Sequence, residues 1–332
     1  LLTRSMLYGI IVSIILIQLY SHILSICRKI KQLQQLARLH VYICKSNEVT
    51  AMSATVITIA TVKGGAGRTT MASNFAYLMG DEKKRVLCID ADPQGNLTYA
   101  LSGGNRITDG VYDGRSLYDM IDGFRCNFNT RAKDFIVPTN YYNVDMIPAS
   151  AQTPLINKRI PDPIDFVSSP TEKGLQNVAG FFRYFLNQVI DDYDYVVIDT
   201  PSRDCPILTT AIAAADYLLI PTTCDLYSEL AAAKIYRICE NWRIIADILP
   251  RGIGVILTMV DNSAASHEMR QECRSGFGTT LFATEIPNAL SDKMSSRKCL
   301  PVTYMAKTRP VGKAYLAAYE ELKKRIADAN YC

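Results

Sequence analysis

The stretch Val62-Lys63-Gly64-Gly65-Ala66-Gly67-Arg68-Thr69-Thr70 separates an apolar run at residues 54–60 from a helical pattern that begins near Met71. It is therefore a glycine-rich turn between a strand and a helix. Glycines allow successive backbone N–H groups to converge on one anion, and the helix N-terminus adds partial positive charge. A threonine hydroxyl at the start of the helix can reach a Mg²⁺ ion. The stretch predicts a site for nucleotide phosphates.

Carboxylates follow two other apolar runs. Residues 86–96 read Val-Leu-Cys-Ile-Asp-Ala-Asp-Pro-Gln-Gly-Asn, which places Asp90 and Asp92 on one face at the end of a strand. Residues 193–202 repeat the design with a single acid, Asp199. Ligands bind in the crevice at the carboxyl ends of strands in open α/β sheets, so we expect these acids beside the phosphates. The alternative for Asp90 and Asp92 is a pair of solvated loop acids.

Strand patterns alternate with helix patterns from Met52 onward. Such alternation is typical of an α/β fold with a mainly parallel sheet covered by helices on both faces. The predicted strands are 55–61, 85–90, 143–147, 194–199, 216–220, 253–259 and 281–285. The predicted helices are 69–80, 115–121, 173–191, 206–214, 226–248, 264–275 and 312–328.

The glycine-rich turn departs twice from the ordinary phosphate-loop pattern, because Val62 replaces its first glycine and Arg68 replaces its lysine. A lysine followed at once by two glycines resembles the deviant Walker A loop of the ParA/MinD family of dimerising ATPases, and of ParA (Soj-like) partition ATPases in particular. The resemblance implies a P-loop NTPase fold and slow hydrolysis of ATP to ADP and phosphate. It runs from about Met52 to the end of the chain, through residues 63–65, 90–96, 144–150, 199–201, 219–221 and 286–287.

The resemblance also implies roles for individual residues in an ATP-bound homodimer. Lys63 would enter the partner's site and stabilise charge on the transferring phosphoryl group, while Asp92 would orient the attacking water. Thr69 would ligate Mg²⁺, with Asp199 holding it through water and Asp90 supporting the metal shell. The residues implied in nucleotide binding are Lys63, Gly64, Gly65, Ala66, Gly67, Arg68, Thr69, Thr70 and Pro287.

Arg68 is the main departure from the family pattern. A guanidinium is planar, bulkier than an ammonium and permanently charged, so it cannot take the compact position of a lysine without moving the loop. We therefore expect nucleotide to bind while hydrolysis suffers. A second departure is Asn288-Ala-Leu-Ser, because ParA relatives usually carry arginine-containing sequence after Ile-Pro.

The formal net charge of +4 comes from the N-terminal segment. Residues 1–51 carry six Lys and Arg residues against one acid, which leaves 30 basic and 31 acidic residues for the rest. The non-specific DNA binding that the resemblance implies must therefore come from a local patch. The alternative is an ordinary solvated surface. The candidate residues are Arg297, Lys298, Lys307, Arg309 and Lys313.

The ten cysteines are dispersed without a C-x-x-C pair, and the three histidines are separated from them. This distribution argues against a zinc site and against a disulfide framework. It is typical of proteins in the reducing cytosol.

The apolar segment at residues 6–27 would span about 33 Å as a helix, which is long enough for a bilayer. The basic residues that follow it would keep an ATPase domain on the cytoplasmic side. The competing interpretation is a mis-extended start, with Met52 as the native first residue, because ParA-like chains usually begin just before the phosphate loop. Both interpretations divide the chain into an extension at 1–51 and an ATPase domain at 52–332.

Together these patterns lead to a functional hypothesis. We expect a ParA-type partition ATPase that uses ATP and Mg²⁺, dimerises with ATP, binds DNA without sequence preference and responds to a ParB-like partner. It would segregate plasmid, chromosome or mobile-element DNA, in the cytoplasm and on the nucleoid. If residues 1–51 are expressed, the alternative is a MinD-like positioning regulator anchored in the inner membrane, with a cytoplasmic ATPase domain. If Arg68 abolishes turnover, the alternative is a nucleotide-gated binding module.

Overall fold

The computed structural model describes residues 54–126, 130–158, 182–246, 250–288 and 300–329. The predicted extension at 1–51, with its apolar segment, lies outside these ranges. Arg297 and Lys298 also lie outside them. Within the described ranges, no helix combines the length and the apolar character needed to cross a bilayer.

Seven strands form one sheet. They are β1 Thr55–Ile59, β2 Val86–Asp90, β3 Val137–Pro138, β4 Val144–Ile147, β5 Tyr195–Asp199, β6 Tyr217–Thr223 and β7 Gly252–Thr258. The order across the sheet is β3-β4-β2-β5-β1-β6-β7. Neighbouring strands are parallel except for β3 and β4, which are antiparallel.

Helices cover both faces of this sheet, which confirms the predicted fold class. Side chains of α1, α2, α7 and α8 pack on one face, and side chains of α3, α4, α5 and α6 pack on the other. Besides a helical stretch at residues 182–186, the helices of the described ranges are α1 Arg68–Asp81, α2 Asn96–Leu101, α3 Leu117–Cys126, α4 Pro206–Ala214, α5 Leu226–Ala246, α6 Ala264–Phe277, α7 Val302–Ala306 and α8 Pro310–Ala329.

The central strands are apolar on both faces because both faces are covered. In β1, Ile57 and Ile59 join the core beneath α1 and α8, whereas Val56 joins the core on the opposite face. The hydroxyl of Thr58 is satisfied by donating to the carbonyl of Ala211 in α4, at 2.8 Å. This burial explains the near-continuous apolar runs of the parallel strands.

The register of the sheet brings the candidate site residues to one edge. Asp90 at the end of β2 is the direct partner of Asp199 at the end of β5, and Ile59 at the end of β1 is also aligned with Asp199. The loops after β1, β2, β5 and β6 therefore all leave the sheet at its carboxyl edge. This is the edge where ligands bind in open α/β folds.

The predicted strand at 281–285 is wrong. The segment makes one isolated bridge to β7, Val255 with Leu281, and Phe282 donates its N–H to the carbonyl of Val255, but no continuous ladder forms. The N–H groups of Ala283 and Thr284 donate to the carboxylate of Glu321 in α8 instead of joining a ladder. A side chain from a distant helix thus takes two consecutive backbone donors of this segment and interrupts the pairing with β7.

The predicted helix at 173–191 is only partly matched. Its described part is helical at residues 182–186 and ends in a 3₁₀ turn at Ile190–Asp192, while residues 173–181 lie outside the described ranges. Two short helices, α2 and α7, were not predicted, because each is held by buried polar contacts to a distant part of the chain. Thr98 of α2 contacts Asp90, and Thr303 of α7 contacts Asn74.

Candidate nucleotide-binding site

The phosphate loop, residues 62–67, connects β1 to α1 and depends on two left-handed glycines. Gly65 has φ +79° and Gly67 has φ +82°, values that residues with a Cβ rarely adopt. A Cβ placed on Gly65 would meet no heavy atom within 4 Å. The backbone conformation, and not crowding, is what requires glycine here.

The N-terminus of α1 is left open by its own sequence. Gly67 is the N-cap residue and supplies no side-chain cap, and the first turn of the helix contains no acid. The first N–H groups of a helix lack partners within the helix, and the helix dipole makes this end attractive to anions. The loop is fixed beside it by Thr258, whose hydroxyl donates to the carbonyl of Ala66 at 3.0 Å. The arrangement suits a phosphate group.

Thr69 and Asp199 supply oxygen ligands of the type that Mg²⁺ prefers. The Thr69 hydroxyl donates to Oδ2 of Asp199 at 2.6 Å. Asp199 is fully buried, and its Oδ1 has no hydrogen-bond partner in the described structure. A buried carboxylate oxygen without a partner is costly unless a cation or a donor completes it. The residues present therefore fit a Mg²⁺ ion at this position.

Both carboxylate oxygens of Asp90 accept hydrogen bonds from the protein, whereas only one oxygen of Asp199 does. Its Oδ2 accepts from both the N–H and the hydroxyl of Thr98, each at 2.7 Å, and its Oδ1 accepts from the N–H of Asp92 at 3.2 Å. The Thr98 hydroxyl in turn accepts from the N–H of Ala149 at 2.9 Å. Asp90 thus fixes the start of α2 and the turn that carries Asp92.

Burial raises the pKa of both Asp90 and Asp199. For Asp90 the second cause is the negative charge of Asp199, and the hydrogen bonds from Thr98 oppose the shift. For Asp199, the charge of Arg68 and the hydroxyl of Thr69 oppose the shift. Two adjacent buried carboxylates disfavour each other's ionisation, and a bound cation relieves this repulsion.

Arg68 lies inside the site, but its donors point at the protein. The side chain is buried, and Nε donates to the carbonyl of Thr200 at 2.9 Å. Nη1 donates to the carbonyls of Thr61 at 3.1 Å and Lys63 at 2.8 Å. The guanidinium therefore ties the phosphate loop to the loop that follows β5. This set of acceptors uses the fork geometry that distinguishes arginine from lysine.

Asp92 lies beside Arg68 at the carboxyl edge. Its Oδ2 is 3.5 Å from Nη2 of Arg68, and its Oδ1 accepts from the N–H of Gln94 at 2.9 Å. The side chain is buried, so Asp92 is not a solvated loop acid. It stands within electrostatic range of Asp199, whose pKa it raises.

Lys63 folds back onto its own chain. Its Nζ donates to the hydroxyl of Thr223 at 3.0 Å and forms an ion pair with Asp225, just beyond β6. The lysine side chain is 28% exposed and that of Asp225 is 38% exposed, so solvent reaches the pair. The side chain predicted to contact a partner's nucleotide is thus held, in the single chain, by a contact that water weakens.

The remaining predicted nucleotide residues lie around the same edge. The carbonyl of Thr70 accepts from the side chains of Ser73 and Asn74 within α1. Pro287 follows β7 and bridges Val260, at the opposite side of the phosphate loop from the acids.

Three of the predicted basic residues gather where α7 meets α8. Lys307, Arg309 and Lys313 are all exposed, and Lys307 forms an ion pair with Asp81 at 3.1 Å. Helix α7 is fixed to α1 by Thr303, whose N–H and hydroxyl donate to Oδ1 of Asn74. These basic residues therefore lie on an element attached directly to the helix that follows the phosphate loop.

Several residues of the site were not predicted. Thr223 and Asp225 follow an apolar strand in the same way as Asp199, and this signal could have found them. The side chain of Thr98 contacts Asp90, and the carbonyl of Thr200 contacts Arg68. No local sequence pattern marks such contacts.

The comparisons with known proteins agree with this geometry. The model of a family described as AAA domain matches residues 54–244, more than half of the chain. The chromosome-partitioning ATPase Soj of Thermus thermophilus is 28% identical over 276 residues, covering 82% of this chain and 97% of that protein. The chromosome partitioning protein ParA of Myxococcus xanthus is 28% identical over 283 residues, covering 81% of this chain and 88% of that protein.

Solved structures show the same fold. The ATP complex of a Cyanothece McdA variant has a TM-score of 0.68 at 21% identity, covering 82% of this chain and 98% of that chain. The cell division ATPase MinD of Pyrococcus furiosus has a TM-score of 0.60 at 20% identity, covering 82% and 99%. With a matching family model over more than half of its length, the chain belongs to the AAA domain family. Together with the Soj and ParA relatives, this match identifies it as a member of the ParA-type family with a deviant Walker A loop.

Proposed function

We propose that this chain is an ATP-dependent partition ATPase that switches between a single chain and a homodimer. The observation that carries the proposal is the open end of α1 next to the incomplete pair of Thr69 and Asp199. A loop with two left-handed glycines supplies N–H groups for phosphates, and the unpartnered Oδ1 of Asp199 supplies a place for the accompanying cation. The 28% identity to chromosome-partitioning relatives supports the role in DNA segregation.

In this proposal the chain's own residues divide the work on ATP. N–H groups from Gly64 to Thr69 bind the phosphate oxygens, and Thr69 and Asp199 hold the Mg²⁺. When bound, Mg²⁺ neutralises charge on the phosphates. Asp92 orients the attacking water, and Asp90 keeps the Asp92 turn in place through its bond to the Asp92 N–H.

Lys63 is the proposed switch residue. In the single chain it is occupied by Asp225 and Thr223. In the dimer we propose that it leaves this solvent-exposed pair for the phosphates bound by the partner, where a triphosphate presents more negative charge than a diphosphate. Dimerisation would then depend on ATP and not on ADP.

The exposed Lys307, Arg309 and Lys313 are the proposed phosphate contacts to non-specific DNA, together with Arg297 and Lys298. The attachment of α7 to α1 through Thr303 supports a link between nucleotide state and DNA binding by the neighbouring Lys307, Arg309 and Lys313. A ParB-like partner that accelerates turnover completes the proposed system. Its cargo would be plasmid, chromosome or mobile-element DNA.

A second candidate is a nucleotide-gated binding module with little hydrolysis. The position of Arg68 favours it, because Nε and Nη1 already donate to three carbonyls and Nη2 faces Asp92. An arginine fixed in this way can lie beside a bound phosphate, but it cannot move with the phosphoryl group during transfer. The two candidates differ only in turnover.

The test is nucleotide binding and hydrolysis by the full chain, with Asp199→Asn as the variant and Asp134→Asn as a surface control. We expect Mg²⁺-dependent ATP binding that Asp199→Asn weakens and Asp134→Asn leaves unchanged. Absence of ATP binding in the unmodified chain would contradict both candidates. Binding without turnover in the presence of DNA and a ParB-like protein would select the second.

A further inference from the structure

The chain beyond β7 returns along the outer edge of the sheet. Residues 281–288, here called the edge segment, run alongside β7 and are bonded to it at several points. Phe282 and Ile286 donate their N–H groups to the carbonyls of Val255 and Leu257, at 2.7 and 2.8 Å. Beyond the strand, Val260 donates to the carbonyl of Ile286 at 3.1 Å and accepts from the N–H of Asn288 at 2.8 Å.

The edge segment is connected to the phosphate loop through the end of β7. Thr258 contacts Ala66 of the loop, and the Cε atom of Met259 lies 4.0 Å from where a Cβ on Gly67 would stand. Met259 has φ +55°, a left-handed conformation that is uncommon for a residue with a side chain. This sharp turn leads directly to Val260 and hence to residues 286–288 of the edge segment.

The charges at the site decide which way a bound nucleotide extends. Strands β2 and β5, which end in Asp90 and Asp199, lie on one side of β1, and β6 and β7 lie on the other. The cation and the terminal phosphate belong beside the acids. The uncharged nucleoside therefore extends toward β7, where the half-buried Pro287 and the exposed Asn288 lie just beyond the strand.

Helix α8 holds the edge segment with a two-residue clamp. Glu321 accepts the N–H of Ala283 with Oε1 and the N–H of Thr284 with Oε2, each at 2.9 Å. Arg325 donates to the carbonyls of Thr279 and Leu281, at 2.9 and 2.6 Å. Glu321 and Arg325 also pair with each other at 2.9 Å.

Further interactions hold the edge segment in place. The guanidinium of Arg325 lies 4.4 Å from the centre of the Phe282 ring. Burial opposes ionisation of Glu321, but the N–H groups of Ala283 and Thr284 outweigh it and lower the pKa of this carboxyl. From the other side, Arg270 and Arg274 of α6 each hold Glu285 at 3.1 Å.

We propose that Glu321 and Arg325 are positioning residues for the nucleoside of ATP, a role that rests on the proposed function of this site. Neither residue touches the nucleotide. They fix residues 281–285, and this fixes the exposed part of Pro287, which follows the buried Ile286 and against which the nucleoside packs. The phosphates are bound elsewhere, by the loop and by α1, so loss of the clamp affects only the nucleoside part of the binding free energy.

The test compares two probes on the full chain by calorimetry, MgATP and inorganic tripolyphosphate with Mg²⁺. Glu321→Gln leaves one good acceptor for two N–H groups and removes the charge that pairs with Arg325. We expect its Kd for ATP to rise about tenfold while its Kd for tripolyphosphate stays within about twofold. Glu320→Gln, on the adjacent exposed position of the same helix, is the matched control and changes neither Kd.

A second variant tests the proposal if the Glu321→Gln chain does not fold. Arg325→Lys preserves the charge but loses the fork that reaches two carbonyls, and Lys324→Met is its control. We expect the same selective loss of ATP affinity, with faster amide hydrogen exchange at residues 281–286. Equal weakening of both probes, or an unchanged ATP affinity, would overturn the positioning role while leaving the ATPase proposal intact. Failure of the unmodified chain to bind ATP contradicts both.

Discussion

Arg68 and Asp92 face each other beside the phosphate loop, with Nη2 of the arginine 3.5 Å from Oδ2 of the aspartate and both side chains 8% exposed. The arginine that departs from the family pattern is therefore next to the acid proposed to orient water. Its other donors are bound to main-chain carbonyls, so its position is set by the protein before any nucleotide arrives.

Arg68→Lys separates the structural role of this side chain from its catalytic role. A lysine cannot reproduce the fork, so we expect the unfolding free energy of the nucleotide-free chain to fall by about 1–3 kcal/mol. We also expect turnover to rise about tenfold, about 1.4 kcal/mol of barrier, because an ammonium with fewer internal partners can follow the phosphoryl group. Denaturant titration and steady-state kinetics measure the two effects. Unchanged or reduced turnover would mean that the loop has adapted to arginine.

Lys63→Ala should abolish ATP-dependent dimerisation and leave the single chain intact. The substitution removes a partly exposed ion pair with Asp225 and a hydrogen bond to Thr223, and exposed ion pairs contribute only about 0–1 kcal/mol. Sedimentation velocity with ATP, ADP and no nucleotide measures the mass. Lys133→Ala, which removes a more exposed pair with Asp192, is the control and should still dimerise with ATP. A Lys63→Ala chain that dimerises normally would contradict the switch.

Asp92→Asn should stop the proposed turnover after ATP binding. The amide oxygen can still accept the N–H of Gln94, so the turn is preserved while the charge that orients water is lost. We expect turnover to fall about 10²-fold or more, with ATP-dependent dimers still formed. Single-turnover kinetics and sedimentation test this, and loss of the dimer itself would point to a structural role.

The stability of the nucleotide-free chain should depend on pH through Asp90 and Asp199. Their raised pKa values mean that the folded chain binds these protons more tightly than the unfolded chain. Unfolding free energy should therefore fall as the pH rises from the ordinary aspartate value, about 3.9, through the raised values. Asp199→Asn should flatten this decline and Asp134→Asn should not. Denaturant titrations at several pH values measure the slopes, and equal slopes would contradict the assignment.

DNA binding should depend on the exposed basic residues at the junction of α7 and α8. Replacing Arg309 and Lys313 with Ala removes two phosphate contacts, so we expect weaker binding to any sequence and a salt dependence reduced by about two counterions. Replacing Arg131 and Lys133 is the control, because both are exposed and both already pair with acids. Fluorescence anisotropy at several salt concentrations, with ATP present, distinguishes the two variants.

The parts of the site that follow buried strands could be predicted from the sequence. An apolar run covered on both faces must be a central strand, and a polar residue at its end must meet the other strand ends at one edge. Asp90, Asp92, Asp199 and the glycine-rich turn all follow this rule, and the structure brings them together.

Contacts between distant residues could not be predicted in the same way. The partners of Arg68 and Lys63 are set by the loops after β5 and β6, and no local periodicity encodes them. The predicted eighth strand failed for the same reason, since its apolar pattern is genuine but Glu321 takes two of its consecutive N–H groups and interrupts the pairing with β7.

The ends of the sheet have a consequence for how this protein avoids aggregation. At one end β3 is only two residues long and includes Pro138, which has no N–H to offer an incoming strand. At the other end the edge segment covers β7, and Glu321 consumes two of its donors. Among the residues that the structure describes, neither margin offers a long row of free backbone groups to a neighbouring chain. High local concentrations, such as those of proteins crowded together on a surface, should therefore not lead to aggregation through pairing of sheet edges.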